Sequence, residues 1–228
     1  MTNTVTIYPT ILTTTKEALA REIELAKAHF QTVQIDVADG ILVENTTLTL
    51  EEILEVLDAH KDLEYDFHLM VRDYGAALAT LSHSKLKIRY ALIHHSASPI
   101  PSLFVDNTFS FRLGLVANPD DNIETISRIY SLNIIPAIQI MTVYPGAQGR
   151  PFESKSLNLI DQLHECHYKG DIILDGAIND QTLHTILQRP HHPTIVGPGS
   201  YFSKSQNATE YAQKYDDLKQ IIGSTIIA

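Results

Sequence analysis

The sequence predicts an α/β fold, a closed (β/α)8 barrel formed as one domain over residues 1–228. Two observations carry that expectation. Short β-branched runs alternate with longer amphipathic segments, giving eight strand signals separated by helix signals, the pattern of parallel β/α units. The chain length of 228 residues suits a single closed barrel, whereas an open doubly wound sheet needs fewer strands. No linker, charge block or low-complexity stretch divides the chain.

Strands are expected at 5–8, 32–37, 64–69, 88–94, 112–116, 134–140, 171–174 and 194–196. In the second, Val33, Ile35 and Val37 alternate with polar positions, and Asp39-Gly40 signals a turn at its end. In the third, Phe67 and Leu69 share one face while Asp66, His68 and Met70 share the other. Helices are expected at 16–30, 50–59, 74–81, 122–131, 155–168, 181–187 and 208–222. The first is the clearest, with Leu19, Ile23, Ala26 and Phe30 at helical spacing. Prolines in the segment 96–110 predict a loop with one short helix.

Hydrophobic content of 44% with 19% charged residues is that of an ordinary globular chain. A net charge of −10 excludes a broad basic face for nucleic acid, so an anionic substrate must be held by local dipoles. The single cysteine, Cys166, forms no internal disulfide, which suits a reducing compartment. The N-terminus lacks the layout of a signal peptide, and no apolar run is long enough to span a bilayer. A cytoplasmic protein with no membrane partner is expected.

Barrel chemistry sits at the C-terminal ends of the strands. Those ends carry Thr10, Asp36, His68, His94, Asn118, Met141, Asp175 and the stretch from Gly197 to Ser200. Two carboxylates from distant strands, facing each other across a bound sugar, can remove a proton from one face and return one to the other. Asp is also common as a turn or cap residue after a strand, and a lone His is more often structural; their convergence on one rim favours chemistry. His68 with two aspartates makes a ligand set suited to a divalent ion. The loop from Met141 to Phe152 contains Pro145, Gly146 and Gly149, so its backbone can approach a ligand closely. Gly197-Pro198-Gly199-Ser200 lies where barrel enzymes seat a phosphate on backbone N–H groups. The pairs His94-His95 and His191-His192 are expected to be structural or solvent-facing, with at most one member of each pointing inward.

Taken together, these motifs resemble the ribulose-phosphate 3-epimerase family, including allulose-6-phosphate 3-epimerase, over nearly the whole chain. Tyr8-Pro9-Thr10-Ile11-Leu12 is similar to the family's Pro-Ser-Ile-Leu, and Asp36-Val37-Ala38-Asp39-Gly40 to its Asp-Val-Met-Asp-Gly. His68-Leu69-Met70 matches outright, and Ala117-Asn118-Pro119 resembles Leu-Asn-Pro. The stretch from Met141 to Phe152 is close to Met-Thr-Val-Asp-Pro-Gly-Phe-Ala-Gly-Gln-Pro-Phe, and Leu174-Asp175-Gly176-Ala177 resembles Val-Asp-Gly-Gly. The resemblance implies a TIM barrel of the ribulose-phosphate-binding type and an isomerase of carbohydrate metabolism. A phosphorylated ketose such as ribulose 5-phosphate would be epimerised at C3. It implies a divalent metal ion (Zn, Fe, Mn or Mg) on Asp36, His68 and Asp175, with Gln34 in the remaining ligand position. Asp36 and Asp175 would be the acid/base groups, and the ion would stabilise an enediolate. Thr10, His68 and Met141 would line the sugar site. Gly146, Ala147, Gln148, Gly149, Gly176, Ala177, Gly197, Gly199 and Ser200 would hold the phosphate. A homo-oligomer is expected.

Three departures qualify that picture. Gln34 stands where the family has a histidine ligand, which weakens zinc- or iron-like binding and favours a harder ion such as Mg²⁺ or Mn²⁺. Ala38 replaces a methionine and enlarges the pocket, and Arg150 replaces a glutamine and adds a charge for a substrate oxyanion. They leave open a relative that binds sugar phosphates without turnover. Decarboxylases and hexulose-phosphate synthases of similar layout use Asp-x-Lys-x-x-Asp on one strand. Ala38 and Ile41 occupy the last two of those positions and argue against that chemistry.

Overall fold

A computed structural model describes residues 5–145 and 149–225. Nine parallel strands form one curled sheet in the order β1-β9-β8-β7-β6-β5-β4-β3-β2. They are β1 (Thr6–Ile7), β2 (Thr10–Ile11), β3 (Thr32–Ala38), β4 (Glu64–Met70), β5 (Lys87–His94), β6 (Arg112–Ala117), β7 (Ala137–Met141), β8 (Asp171–Asp175) and β9 (Ile195–Gly197). Eight strands were expected, and the difference lies at Pro9. The first strand is interrupted there: β1 pairs with β9, and β2 pairs with β3. Tyr8 N–H donates to Val196 O, while Pro9 O accepts from Gln34 N–H. Proline has no N–H for a ladder, so the chain changes partners there. The two sheet edges are thus halves of one segment, and the sheet curls into a β/α barrel.

Helices α1 (Lys16–Ala26), α2 (Leu50–Leu57), α3 (Tyr74–Ser82), α4 (Ser102–Val105), α5 (Ile123–Ile129), α6 (Asn158–Glu165), α7 (Asp180–Leu187), α8 (Ser200–Ser203) and α9 (Ala208–Thr225) fill the connections. Five of them begin on side-chain caps: Thr15, Thr49, Asp73, Asn122 and Asn179 each accept a backbone N–H of the first turn. Helix α1 stops four residues before the expected end, yet Phe30 stays buried because its N–H still reaches Ala26 O at 3.0 Å. The stretch expected as a strand from 134 begins instead with a 3-10 turn, Leu132–Ile134, and Pro136 precedes the pairing residues of β7. Among the described residues, no helix is long and apolar enough to cross a membrane.

Every residue of β3 is buried, so the polar ones must find partners inside the barrel. Val33, Ile35 and Val37 join the apolar layer beneath the helices. Gln34 and Asp36, on the other face, point to the barrel interior, where they meet polar side chains of β4 and β8. In-register pairing then sets Asp36 beside His68, Met141 beside Asp175, and Asp175 beside Gly197.

Candidate active site

The C-terminal rim opens into a cleft of about 620 Å³, including its mouth, with Asp36, His68 and Asp175 on its floor. All three are buried, and one ligand atom from each lies within 4.8 Å of the others. His68 Nδ1 is 3.1 Å from Asp36 Oδ1 and 3.5 Å from Asp175 Oδ2. Gln34 Nε2 donates to Asp175 Oδ2 at 2.7 Å and to Asp36 Oδ1 at 3.2 Å, bridging the carboxylates. An amide must present its N–H side to two carboxylate oxygens, since its carbonyl oxygen would repel them.

The electrostatics separate the members. Burial, and then the charge of Asp175, push the Asp36 carboxyl above its ordinary range, more than His68 and Gln34 bring it down. Burial lowers the His68 imidazole, but hydrogen bonds to Asp175 and Asp36, together with their charges, outweigh it and push it up to about 9. Two carboxylates and an imidazole are nitrogen and oxygen donors of the kind a divalent ion takes. The buried Asp36-His68-Asp175 group can therefore hold such an ion, and its residues fit one.

The surrounding loops hold these groups in place. Thr142 is fully buried; its N–H donates to Asp175 O at 2.7 Å and its Oγ1 to the same oxygen at 3.1 Å, tying the end of β7 to the end of β8. Asp39 does comparable work after β3. Burial would raise its carboxyl, but backbone N–H groups of Arg72, Leu42 and Ile41 outweigh that and hold it low. It is thus a turn residue, as its Asp-Gly signal indicates. Gly176 (φ 115°) and Ala177 (φ 50°) follow Asp175 directly, so the backbone curls sharply beside the carboxylate. A side chain at Gly199 would meet Thr10 Oγ1 at 2.5 Å, which is why glycine sits where that loop crosses β2.

Of the residues singled out from sequence, Thr10, Asp36, His68, Met141, Gly149, Asp175, Gly176, Ala177, Gly199 and Ser200 line this one cleft. Gly197 lies just beneath, paired with Asp175, and Gln34 lies behind the two aspartates. Gly146, Ala147 and Gln148 lie outside the described residues. Arg150 is on the cleft wall, with one guanidinium nitrogen 3.8 Å from Glu44.

One residue escaped the sequence reading, and another was named on the rim without a role. His94 was expected to be structural or solvent-facing; it is fully buried, with Nε2 2.8 Å from Nε2 of His68. Strand alternation gives the signal, because His94 lies an even number of residues after Tyr90, which faces the barrel interior beside Arg89 and Asp171. Gln139, also fully buried, donates from Nε2 to Asp175 Oδ2 at 3.1 Å. Its place two residues before Met141 on one strand face could have found it. The histidines at 191 and 192 are peripheral: His191 meets Asp161 at 3.0 Å and His192 meets Leu187 O at 3.0 Å.

Fold and site together define a β/α-barrel protein with a buried two-carboxylate, one-imidazole centre at its C-terminal rim. The model of the ribulose-phosphate 3 epimerase family matches residues 6–200, and the chain belongs to that family. A curated relative, the chloroplastic ribulose-5-phosphate-3-epimerase of Arabidopsis thaliana, is 24% identical over 226 residues, covering 93% of this chain and 75% of the relative. Among solved structures, tryptophan synthase from Mycobacterium tuberculosis has a TM-score of 0.69 at 10% identity, over 96% of this chain and 93% of that one. A mutant tryptophan synthase α-subunit from Pyrococcus furiosus has a TM-score of 0.67 at 10% identity, over 97% and 98%. At such identities the structural likeness shows the barrel alone.

Proposed function

We propose that the chain is a ketose-phosphate 3-epimerase acting on D-ribulose 5-phosphate, D-xylulose 5-phosphate or a related ketose phosphate. Family membership supports epimerase chemistry. The observation that carries the reading is the pair of buried carboxylates, Asp36 and Asp175, gathered around His68 on the cleft floor.

Asp36, His68 and Asp175 would hold the divalent ion, and Gln34 would join them by turning its amide oxygen inward. A divalent ion held there supplies Lewis acidity to the ketose carbonyl and hydroxyl oxygens. The remaining chemistry belongs to side chains. Asp36, whose carboxyl is pushed up by burial and then by the neighbouring charge, carries a proton to one face of C3. Asp175, gripped by Gln34 and Gln139, removes the proton from the other face. In the reverse reaction the two exchange roles. Thr10 and Met141 flank the sugar, and backbone N–H groups at Gly149, Gly176, Ala177, Gly197, Gly199 and Ser200 hold the phosphate. Arg150 supplies the cleft wall with a cation.

The reading of a relative that binds without turnover gains no support from this geometry, because the acid/base pair is intact and buried. The test is to follow ribulose 5-phosphate by NMR with Mn²⁺, Zn²⁺, Fe²⁺ or Mg²⁺ supplied. Interconversion with xylulose 5-phosphate is expected. Absence of C3 epimerisation with every ion, for pentulose and hexulose phosphates alike, would overturn the proposal.

A further inference from the structure

Behind His68 stand two side chains that the proposed reaction does not use. The rings of His68 and His94 stack at 4.9 Å between centroids with 26° between planes, and their Nε2 atoms are 2.8 Å apart. Two imidazole nitrogens that close must share a proton, one ring donating and the other accepting. Nδ1 of His94 is buried and has no hydrogen-bond partner, and Oδ1 of Asn118 is in the same position. The Asn118 side chain lies against His94. Its backbone is anchored, with the Asn118 N–H donating to Asp121 Oδ2 at 2.7 Å and the Asp121 N–H returning to Asn118 O at 3.0 Å.

When His68 is neutral, the form that can bind an ion, two proton arrangements satisfy the histidine pair. In the first, His94 donates from Nε2, which puts the proton of a neutral His68 on Nδ1, aimed at Asp36. In the second, His68 donates from Nε2 and its Nδ1 lone pair faces the two aspartates. Only the second lets Nδ1 serve as a ligand atom. It requires His94 to carry its own proton on Nδ1 and to find an acceptor for it. An amide oxygen accepts and cannot donate, so the buried and otherwise unpartnered Asn118 Oδ1 can serve the second arrangement. In the first it would face a lone pair, two acceptors set against each other in a buried space.

We propose that Asn118 and His94 are positioning residues that hold neutral His68 in the tautomer with its proton on Nε2, so that Nδ1 is the nitrogen that offers a lone pair to the cleft. The polarity runs one way: His68 donates to His94, and His94 donates to Asn118. The link to metal affinity rests on the ligand role given to His68 under the proposed function, whereas the tautomer itself does not.

The test uses the full chain with ¹⁵N-labelled imidazoles, first in chelator and then titrated with Zn²⁺. Long-range ¹H–¹⁵N spectra should show His94 protonated on Nδ1 with Nε2 as acceptor. Asn118→Ala should disperse His94 between tautomers and weaken Zn²⁺ binding by roughly 10- to 100-fold, the usual effect of removing such a supporting partner. Asn118→Asp, which keeps an acceptor oxygen, should retain the wild-type His94 tautomer. If His94 in the wild type is protonated on Nε2, or if Asn118→Ala leaves both the spectrum and the affinity unchanged, the proposal is wrong. A wild-type chain that binds no ion would overturn the metal reading, and the His94 tautomer would still decide this one.

Discussion

Two polar clusters lie inside the same barrel, and they differ in how completely their charges are matched. Near the N-terminal end, Arg89 grips Asp66 with two nitrogens, reaches Tyr8 Oη at 3.3 Å, and lies 3.9 Å from Asp171. Tyr90 donates to Asp171 at 2.8 Å, and the Arg89 and Arg112 guanidinium groups lie 4.5 and 4.3 Å from its ring centroid. Two carboxylates thus share the Arg89 guanidinium group, and a second, that of Arg112, lies over the Tyr90 ring between them and solvent. At the C-terminal end, two carboxylates meet one imidazole and two neutral amides, and the cluster opens into a cleft. Strand β4 supplies a member to each: Asp66 below and His68 above, two residues apart on one face. What sets the proposed reactive site apart is an incomplete balance of charge facing an opening.

That contrast can be broken by mutation. Asp36→Asn should lower kcat by about 10³-fold, read by NMR of the epimerisation, with the unfolding midpoint little changed, because removing an acid/base group costs on the order of 10²- to 10⁴-fold. Arg89→Met should do the opposite, lowering stability by about 3–5 kcal/mol in a urea titration, since it strands Asp66 as an unpaired buried charge. Any activity it loses should return on cooling to where the chain is folded. Gln34→His should tighten Zn²⁺ relative to Mn²⁺ by about tenfold or more in competition with a chelator, as imidazole suits zinc better than an amide oxygen does.

A smaller effect concerns a third kind of carboxylate, buried in part and without a compensating cluster. Burial pushes Glu22 on α1 up to about 7, with only Arg21 opposing it. Its folded pKa lies above its unfolded value of 4.5, so its contribution to stability is present below pH 4.5 and lost as pH rises through 7. Glu22→Gln should remove that slope and raise stability at pH 8 by on the order of 1 kcal/mol after solvent screening, checked by thermal unfolding across pH 4–8.

The barrel was legible because its strands and helices are written as local periodicities, and Asp36, His68 and Asp175 because each lies at or near the C-terminal end of a strand. What local pattern could not convey was depth. Gln34 reads as a lost ligand in the sequence; in the fold it is also the donor that bridges two carboxylates. Gln139 and His94 carry no motif of their own, and their importance comes from neighbours contributed by strands 36 and 26 residues away. Pro9 was visible as a residue, but its role in passing the chain between two sheet partners depends on β9, which lies at the far end of the sequence.

The central claim, that Asp36 and Asp175 act as separate acid and base across one sugar, is tested most directly by isotope exchange. With ribulose 5-phosphate in D₂O and a supplied divalent ion, early xylulose 5-phosphate should carry deuterium at C3 while recovered ribulose 5-phosphate remains largely protiated. Equal labelling of both sugars from the first turnovers would contradict a two-carboxylate mechanism, and no labelling of either with any ion would contradict epimerisation itself.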